Sequence, residues 1–184
     1  MRRVAVFGNA GGGKSTLSRR LAEITGLPLY TVDHIQFPGG RYQPDEKDGG
    51  KIAHEEYVRI HKEIVGRDQW IIDGFDSMAL AWERFGVADT LVHVDLPVLT
   101  HYWGVTKRLV GGQFRNPKGW PENTPVWESS LASYRVVWRC HRRLTPRYRQ
   151  LVAEAASTKR VHRPEMKDFL QEAEWSKLST RSPD

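Results

Sequence analysis

A glycine-rich segment that directly follows an apolar run is the feature that most constrains the fold of this chain. Residues 8–15 read Gly-Asn-Ala-Gly-Gly-Gly-Lys-Ser, which satisfies every fixed position of the pattern Gly-x-x-x-x-Gly-Lys-[Ser/Thr]. Residues 3–7 have the composition of a buried strand, and leucine and isoleucine recur at helical spacing after Lys14. A strand, a tight loop and a helix in this order predict an anion-binding loop of the P-loop type.

Each residue type in this loop has a physical reason. Glycines let the backbone turn its N–H groups toward bound phosphates, and the helix that follows adds positive potential. The Lys14 ammonium can contact the β- and γ-phosphates, and the Ser15 hydroxyl can ligate Mg²⁺. We therefore predict that ATP binds with Mg²⁺ through the nine residues Gly8, Asn9, Ala10, Gly11, Gly12, Gly13, Lys14, Ser15 and Thr16.

Strand-like and helix-like segments alternate along the rest of the chain. Further strands are predicted over residues 29–32, 70–72, 89–95 and, more weakly, 159–162. Amphipathic helical patterns separate them. One runs from Trp127 to about Ala156 and is broken or kinked by Pro146, and another closes the chain over 165–174. This alternation predicts an α/β fold in three layers with a five-stranded parallel sheet. Ligands of such sheets bind at the carboxyl ends of the strands.

Length and composition indicate one domain in the cytoplasm. With 184 residues, 39% of them hydrophobic, the chain can build one full α/β domain over 1–184. The run before Gly8 is too short for a signal-peptide core, and the sequence has no stretch of membrane-spanning length, so no membrane association is expected. Glycine and proline clusters between residues 36 and 51 predict a mobile loop.

Positive charge is concentrated in one segment. The chain has a net charge of +6, and between Lys107 and Arg149 ten lysines and arginines face only two acidic residues. Such a segment favours an anionic partner, either a polyphosphate ligand or a nucleic acid. No recognised DNA-reading motif lies in it, so nucleic acid is the less favoured of the two.

Two aspartates are candidates for completing the magnesium site. A P-loop sheet supplies an acid to Mg²⁺ from a neighbouring strand. Asp73 ends the apolar run Trp70-Ile71-Ile72 and is the favoured residue, while Asp95 also ends a strand and stays open as the alternative.

The order of these motifs resembles the adenylate-kinase-related proteins known as DNA topology modulation proteins, over residues 3–173. The motifs that carry the resemblance are the phosphate loop, Leu27-Pro28-Leu29-Tyr30-x-x-Asp33, Trp70-Ile71-Ile72-Asp73-Gly74, Ala88-Asp89-Thr90 and Val94-Asp95-Leu96-Pro97. The resemblance implies a nucleoside-monophosphate-kinase-like fold with an acceptor-side insertion near 34–68 and a helical, arginine-rich lid near 107–125. It further implies that Arg108 and Arg115 neutralise charge on the transferred phosphoryl group, and that Arg139, Arg142 and Arg143 can join them.

The chain departs from this family directly after Asp73. Adenylate kinases follow Asp-Gly-Phe with Pro-Arg, and that arginine helps to hold the monophosphate. Here Asp76 and Ser77 follow Phe75, and the Asn-Tyr that topology modulation proteins place after Asp-Gly is absent too. The resemblance therefore does not fix the phosphoryl acceptor.

Asp33 is the residue most relevant to that acceptor. It follows the second predicted strand, and in related small-molecule kinases an acid here orients or deprotonates the acceptor hydroxyl. We predict a kinase whose catalytic residues are Lys14, Asp33, Arg108 and Arg115 and whose acceptor is a nucleotide or nucleoside. The alternatives are a metabolite kinase of the shikimate or gluconate type and an ATP-dependent regulator that binds nucleic acid.

Overall fold

The first strand lies in the middle of the sheet because both of its faces are apolar. The computed structural model describes residues 1–38, 50–112 and 126–164. Strand β1 (Arg3–Gly8) points Val4 and Val6 to one side and Ala5 and Phe7 to the other, and all four side chains are buried. Burial on both faces is typical of a parallel strand covered by helices on each side.

Four further strands flank β1, and every pairing is parallel. They are β2 (Leu29–Thr31), β3 (Trp70–Asp73), β4 (Thr90–Val94) and β5 (Arg160–His162), in the spatial order β2-β3-β1-β4-β5. The predicted five-stranded parallel sheet is confirmed. Its register places Asp73 beside Val6 on one side and beside Thr31 on the other, so the carboxyl ends of three strands meet at one edge.

Helices cover both faces of the sheet and give it three layers. They are α1 (Lys14–Thr25), α2 (Val32–Gln36), α3 (His54–Val65), α4 (Met78–Val87), α5 (Val98–Gly112), α6 (Val126–Arg143) and α7 (Thr145–Ala155). One core packs Leu17 and Leu21 of α1 against β1 and β4. The other core joins α3, α4 and α7 to the opposite face through Tyr57, Phe85 and Tyr148.

One predicted element boundary is wrong and one predicted helix break is confirmed. Strand β2 ends at Thr31, so Asp33 lies in the first turn of α2 and not at the end of a strand. The helical stretch from Trp127 to Ala156 is divided near Pro146 as predicted, because proline cannot donate a backbone hydrogen bond and fits only in a first helical turn. Pro146 occupies the start of α7, and the break falls at Leu144.

Three predicted features lie partly or wholly outside the described residues. These are the glycine-rich loop at 39–49, the lid segment 113–125 and the closing helix within 165–184. Of the predicted insertion near 34–68, the structure describes the end of α2 and the whole of α3, and the first residues of the predicted lid near 107–125 belong to α5. Across residues 1–38, 50–112 and 126–164, no helix has the length and apolar character needed to cross a membrane.

Among the described residues, His61, His93 and His101 are buried, and the lowering of the imidazole pKa is large for His93 and His101. His93 on β4 stacks on Phe7 with a ring-centroid distance of 5.1 Å, and His101 lies beneath the phosphate loop. Burial is the main cause that lowers the pKa of each imidazole from 6.5 to about 4. The Lys14 charge is the next contribution at His101.

We expect the free energy of unfolding to fall as the pH decreases from 6.5 toward 4. In this window the unfolded chain binds protons on His93 and His101 that the folded protein does not, so stability is highest above pH 6.5. At about pH 5 each histidine accounts for a loss of roughly 2 kcal/mol. Urea unfolding at about pH 7.5 and pH 5 measures the difference. His101→Asn, whose amide can replace the Nδ1–H donor to the Ala10 carbonyl but does not titrate, should remove part of the pH dependence. Equal stability at both pH values would contradict this account.

Candidate functional site

The phosphate loop packs with its backbone directly against helix α5. A Cβ atom on Gly104 would overlap the Gly11 carbonyl oxygen, and a Cβ on Gly11, which has φ +73°, would overlap the His101 carbonyl. The two glycines therefore permit a contact between loop and helix that no larger residue allows.

His101 supports the loop from the same helix. Its Nδ1 lies 3.0 Å from the Ala10 carbonyl oxygen, and since a carbonyl can only accept, Nδ1 is the donor. A Cβ on Gly12 would lie 2.8 Å from the His101 ring. The ring thus fixes the loop through one hydrogen bond and one van der Waals contact.

Lys14 carries the positive charge at the centre of the site. Its Nζ donates to the Asn9 carbonyl oxygen at 2.8 Å. Burial is the largest influence on the pKa of the ammonium and lowers it, and Arg108 lowers it further, while Asp73 and Asp33 oppose them. Lys14 is therefore a cation placed within electrostatic range of two carboxylates and one guanidinium.

Asp73 and Ser15 form a pair of oxygen donors. Asp73 ends β3 and is 2% exposed, and its Oδ1 has no hydrogen-bond partner among the described residues. Burial raises the pKa of Asp73, Lys14 opposes that shift, and the Ser15 hydroxyl is near enough to lower the pKa of its carboxyl as well. One buried carboxylate and one hydroxyl fit Mg²⁺, which usually takes its remaining ligands from phosphates and water.

Asp95 has a different role in the structure. At the end of β4 it accepts two hydrogen bonds from Arg149, from Nε at 2.7 Å and from Nη2 at 3.0 Å. These contacts, with burial working against them, lower the pKa of the Asp95 carboxyl. The structure therefore brings Asp73, and not Asp95, next to Ser15.

Most of the predicted site residues surround one cavity of about 240 Å³. Asp33 enters it from the first turn of α2, and Arg108 from α5. An adjoining hollow of about 460 Å³ lies between residues 11–16 of the loop and residues 104, 107 and 108 of α5. Arg108 and Lys14 border both spaces. The cavity is lined by Gly8, Ala10, Gly11, Lys14, Ser15, Thr31, Asp33, Asp73, Gly74, Phe75, Arg108, Ser133, Val136, Cys140, Leu144 and Tyr148.

Asn9 differs from the other predicted phosphate-binding residues. It lines neither space, because its side chain is 3% exposed and turned toward α6. Its Nδ2 donates to the Val137 carbonyl at 2.9 Å, and its Oδ1 accepts from the Ala10 amide at 2.8 Å. The side chain of Asn9 thus connects the phosphate loop to the helix that follows the predicted lid.

The described arginines among those predicted for the lid do not all lie at the cavity. Arg115 lies outside the described residues. Arg139, Arg142 and Arg143 lie on the outer side of α6, where with Tyr134, Arg135 and Trp138 they line a groove of about 700 Å³. Of the lid arginines that the structure describes, Arg108 alone borders the cavity.

Several residues of the site were not predicted from the sequence. Gly104 had a detectable signal, since a glycine inside a helical pattern is unfavourable unless packing requires it. His101, Cys140 and Tyr148 carried no such signal, because nothing local in the sequence shows that α5, α6 and α7 converge on the loop. The pairing of Asp95 with Arg149 joins residues 54 positions apart in the chain.

Comparison with known proteins defines the fold. No protein-family model matches the chain, and no curated protein matches it. Among solved structures, the shikimate kinase of Acinetobacter baumannii, in complex with shikimate, is similar at 18% identity and a TM-score of 0.56, over 100% of this chain and 96% of that one. A sugar kinase from a Janibacter species aligns at 15% identity and a TM-score of 0.46, over 97% and 92%. A gluconokinase from Sinorhizobium meliloti aligns at 13% and 0.49, over 96% and 93%.

The similarity to the shikimate kinase structure assigns the P-loop kinase fold to the chain. It extends over the whole chain and so includes the five-stranded parallel sheet, the loop after β1 and the helices on both faces. The finer resemblance to the DNA topology modulation proteins rests on the sequence motifs alone.

Gly104→Ala should disrupt the contact between the loop and α5. The added methyl overlaps the Gly11 carbonyl, so the loop must shift, and we expect ATP affinity to fall by at least about tenfold, in line with overpacking costs of roughly 1–3 kcal/mol. Isothermal titration with ATP and Mg²⁺ measures this. Gly86→Ala is the matched control, since Gly86 lies in α4 with nothing within 4 Å of an added Cβ. Wild-type ATP affinity in Gly104→Ala would contradict the packing argument.

Proposed function

We propose that this protein is an ATP-dependent phosphotransferase that moves the γ-phosphoryl group of ATP to a hydroxyl of a small metabolite. The observation that carries the proposal is one cavity bordered by Lys14, Ser15, Asp33, Asp73 and Arg108. A cation, a carboxylate next to a loop hydroxyl, a second carboxylate and an arginine are the groups that phosphoryl transfer needs for positioning and charge neutralisation.

Each of these residues has a defined part in the proposed reaction. The loop amides and Lys14 hold the phosphates, and Ser15 with Asp73 would hold Mg²⁺, which neutralises phosphate charge when bound. Arg108, which borders both spaces, stabilises charge on the group in transfer. Asp33 orients the acceptor hydroxyl and accepts its proton. The hydroxyl oxygen forms a bond to the γ-phosphorus, the bond to the bridging β–γ oxygen breaks, and ADP leaves.

A small metabolite, and not the nucleotide or nucleoside predicted from the sequence, is the acceptor that the following observations favour. A cavity of about 240 Å³ that also borders the phosphate loop is smaller than the roughly 300–1,000 Å³ typical of sites for larger ligands. The arginine that holds a monophosphate in adenylate kinases has no counterpart after Phe75, where Asp76 follows. The similar shikimate kinase structure contains shikimate, a small hydroxylated molecule, which supports the same choice.

A nucleic-acid-binding regulator is the second candidate, because one observation favours it. Within the described part of the chain, no carboxylate lies within 4 Å of the four arginines that line the outer groove of α6, whereas Arg20, Arg59, Arg67 and Arg149 are all paired with acids. The exposed Trp138 ring beside them, with Arg142 5.5 Å from its centroid, offers a surface on which a base can stack.

Asp73→Asn should abolish the magnesium-dependent part of ATP binding. The substitution removes the only charge of the proposed Asp73–Ser15 donor pair. We therefore expect turnover to fall by at least about a hundredfold, which is the typical loss when a group that stabilises charge in the transition state is removed. Titration of ATP with and without Mg²⁺ distinguishes a loss of magnesium-dependent binding from a loss of all ATP binding through misfolding. Asp95→Asn is the matched control, since it breaks an exposed ion pair worth about 1 kcal/mol or less and should leave magnesium-dependent binding unchanged. Equal losses in both variants would contradict the assignment.

The decisive test of the proposed function is ADP production with a panel of acceptors. We expect a small hydroxylated metabolite to stimulate ADP formation above the rate with ATP alone. Asp33→Asn should lower kcat by about 10²–10⁴-fold while the KM for ATP stays within about twofold, because Asp33 contacts the acceptor and not the nucleotide.

The nucleic-acid candidate makes the opposite prediction for the same protein. DNA binding with a steep salt dependence, together with ADP production that no acceptor stimulates, would overturn the phosphotransferase proposal. Activity of Asp33→Asn equal to wild type would remove Asp33 from the mechanism while leaving the proposed reaction in place.

A further inference from the structure

We propose that Tyr57 and Asp76 are positioning residues that hold the two carboxylates of the site, Asp33 and Asp73, in a fixed relation to each other. This inference deepens the proposed phosphotransferase function and rests on it. It is carried by a closed ring of contacts that joins both ends of α2 to the turn after β3. We call this ring the clamp, and it consists of Val32, Gln36, Tyr57, Gly74, Asp76 and Arg84.

Gly74, the residue after Asp73, is held from two sides. A Cβ atom on Gly74 would lie 3.0 Å from the Cβ of Val32, which is the first residue of α2 and the neighbour of Asp33. In addition, Arg84 Nη2 donates to the Gly74 carbonyl at 2.9 Å. The position of the Asp73 backbone relative to Asp33 therefore depends on where Arg84 holds this turn.

The guanidinium of Arg84 is fixed in turn by Asp76 and His61. Arg84 is fully buried, and its Nη1 lies 3.5 Å from Asp76 Oδ2 and 3.4 Å from His61 Nε2. Since arginine can only donate, His61 is the acceptor and is neutral. Burial, followed by the Arg84 charge, lowers the pKa of this imidazole, which agrees with a neutral ring. Asp76, whose side chain is 1% exposed, supplies the negative charge beside Arg84.

Asp76 makes its contacts through one oxygen. Its Oδ2 accepts from the Tyr57 hydroxyl and lies within reach of Arg84 Nη1, whereas its Oδ1 has no hydrogen-bond partner within the described parts of the chain. The χ2 angle of aspartate has a broad range. Loss of the Tyr57 donor would thus let the carboxylate rotate and would weaken its hold on Arg84.

Tyr57 closes the ring at the far end of α2. Burial is the main cause that raises the pKa of its hydroxyl, Asp76 adds to the rise, and Gln36 lies near enough to oppose it. Gln36 is the last residue of α2, and its carbonyl also accepts from the Ile52 amide at 3.0 Å, just before α3. The helix that carries Asp33 is therefore held at its first residue by the turn after β3 and at its last residue by α3.

Tyr57 and Asp76 act on the reaction through the two carboxylates. In the proposed function Asp73 would hold Mg²⁺, and Asp33 orients the acceptor hydroxyl. Tyr57 and Asp76 are not among the described residues that line the cavity, so we assign them no contact with substrate. Groups that hold a metal ligand from behind set its orientation, and group transfer depends on the positions of the reacting groups to about an ångström.

Tyr57→Phe tests the clamp with the smallest change, since it removes the hydroxyl and keeps the ring. The measured quantity is the ratio of the ATP affinities with and without Mg²⁺, from isothermal titration. We expect this ratio to fall about tenfold, within the range typical of groups that orient metal ligands, while the affinity without Mg²⁺ stays within about twofold. With the best acceptor of the panel, kcat should fall at least about tenfold at an unchanged KM for ATP.

Two variants control for the substitution and for stability. Tyr30→Phe removes a hydroxyl of β2 that accepts from Arg67 at the surface. Val152→Ala shortens a buried side chain of the core that contains Tyr57, and thermal unfolding of every variant shows how much stability each has lost. Both controls should keep the wild-type ratio and kcat. An equal fall in Val152→Ala would show that the effect is one of stability alone and would overturn the inference.

Asp76→Asn is the second variant of the clamp, because it keeps the shape of the side chain and removes the charge beside Arg84. If Tyr57 and Asp76 act as one unit, the loss in the double variant is smaller than the product of the two single losses. Single losses that multiply in full would contradict a shared action.

The remaining outcomes separate this inference from the proposed function. A folded Tyr57→Phe protein with the wild-type ratio and kcat overturns the clamp and leaves the phosphotransferase function standing, because that function is judged on the wild type. A wild type whose ADP production no acceptor stimulates removes the proposed function, and the magnesium ratio of Tyr57→Phe then decides the inference. If Mg²⁺ does not strengthen ATP binding to the wild type, the inference falls together with the magnesium assignment of Asp73.

Discussion

An ammonium group held beside two carboxylates at the carboxyl edge of the sheet is the interaction on which the site depends. Burial works against the charge of Lys14 and against that of Asp73, and each group partly restores the other. This arrangement exists because β1 and β3 are neighbours in the sheet, in a register that places Asp73 beside Val6, two residues before the loop. Removing either charge would leave the other buried with less compensation, so the site and the sheet order depend on each other.

The parts of this structure that sequence reasoning predicted well are those encoded locally. The phosphate loop is defined by eight consecutive residues, and strands β1, β3 and β4 are continuous apolar runs bounded by polar residues. Short-range patterns of this kind determine backbone conformation with little help from distant contacts. The boundary at Thr31 was missed because Val32 extends the apolar run while its backbone already belongs to α2.

Residues whose role depends on tertiary packing could not be predicted from local sequence patterns. His101 and Gly104 matter because α5 passes beneath the loop, and Asp95 is paired by an arginine from α7. The unusual Asp76 was visible in the sequence only as a mismatch with a family pattern. In the structure, Arg84 and Tyr57 both donate to its Oδ2, and a buried carboxylate is tolerated where donors reach it.

The position of Asn9 links the nucleotide to the far side of the cavity. Its carbonyl accepts the Lys14 ammonium while its side-chain amide holds the Val137 carbonyl of α6. A phosphate that draws Lys14 away from this carbonyl would act on the same residue whose side chain holds α6, so Asn9 is a physical connection between the nucleotide side and this helix. Thermodynamic linkage is reciprocal. If ATP binding changes how α6 is held, and with it the affinity for an acceptor that packs against Cys140 of this helix, then acceptor binding changes the affinity for ATP by the same factor.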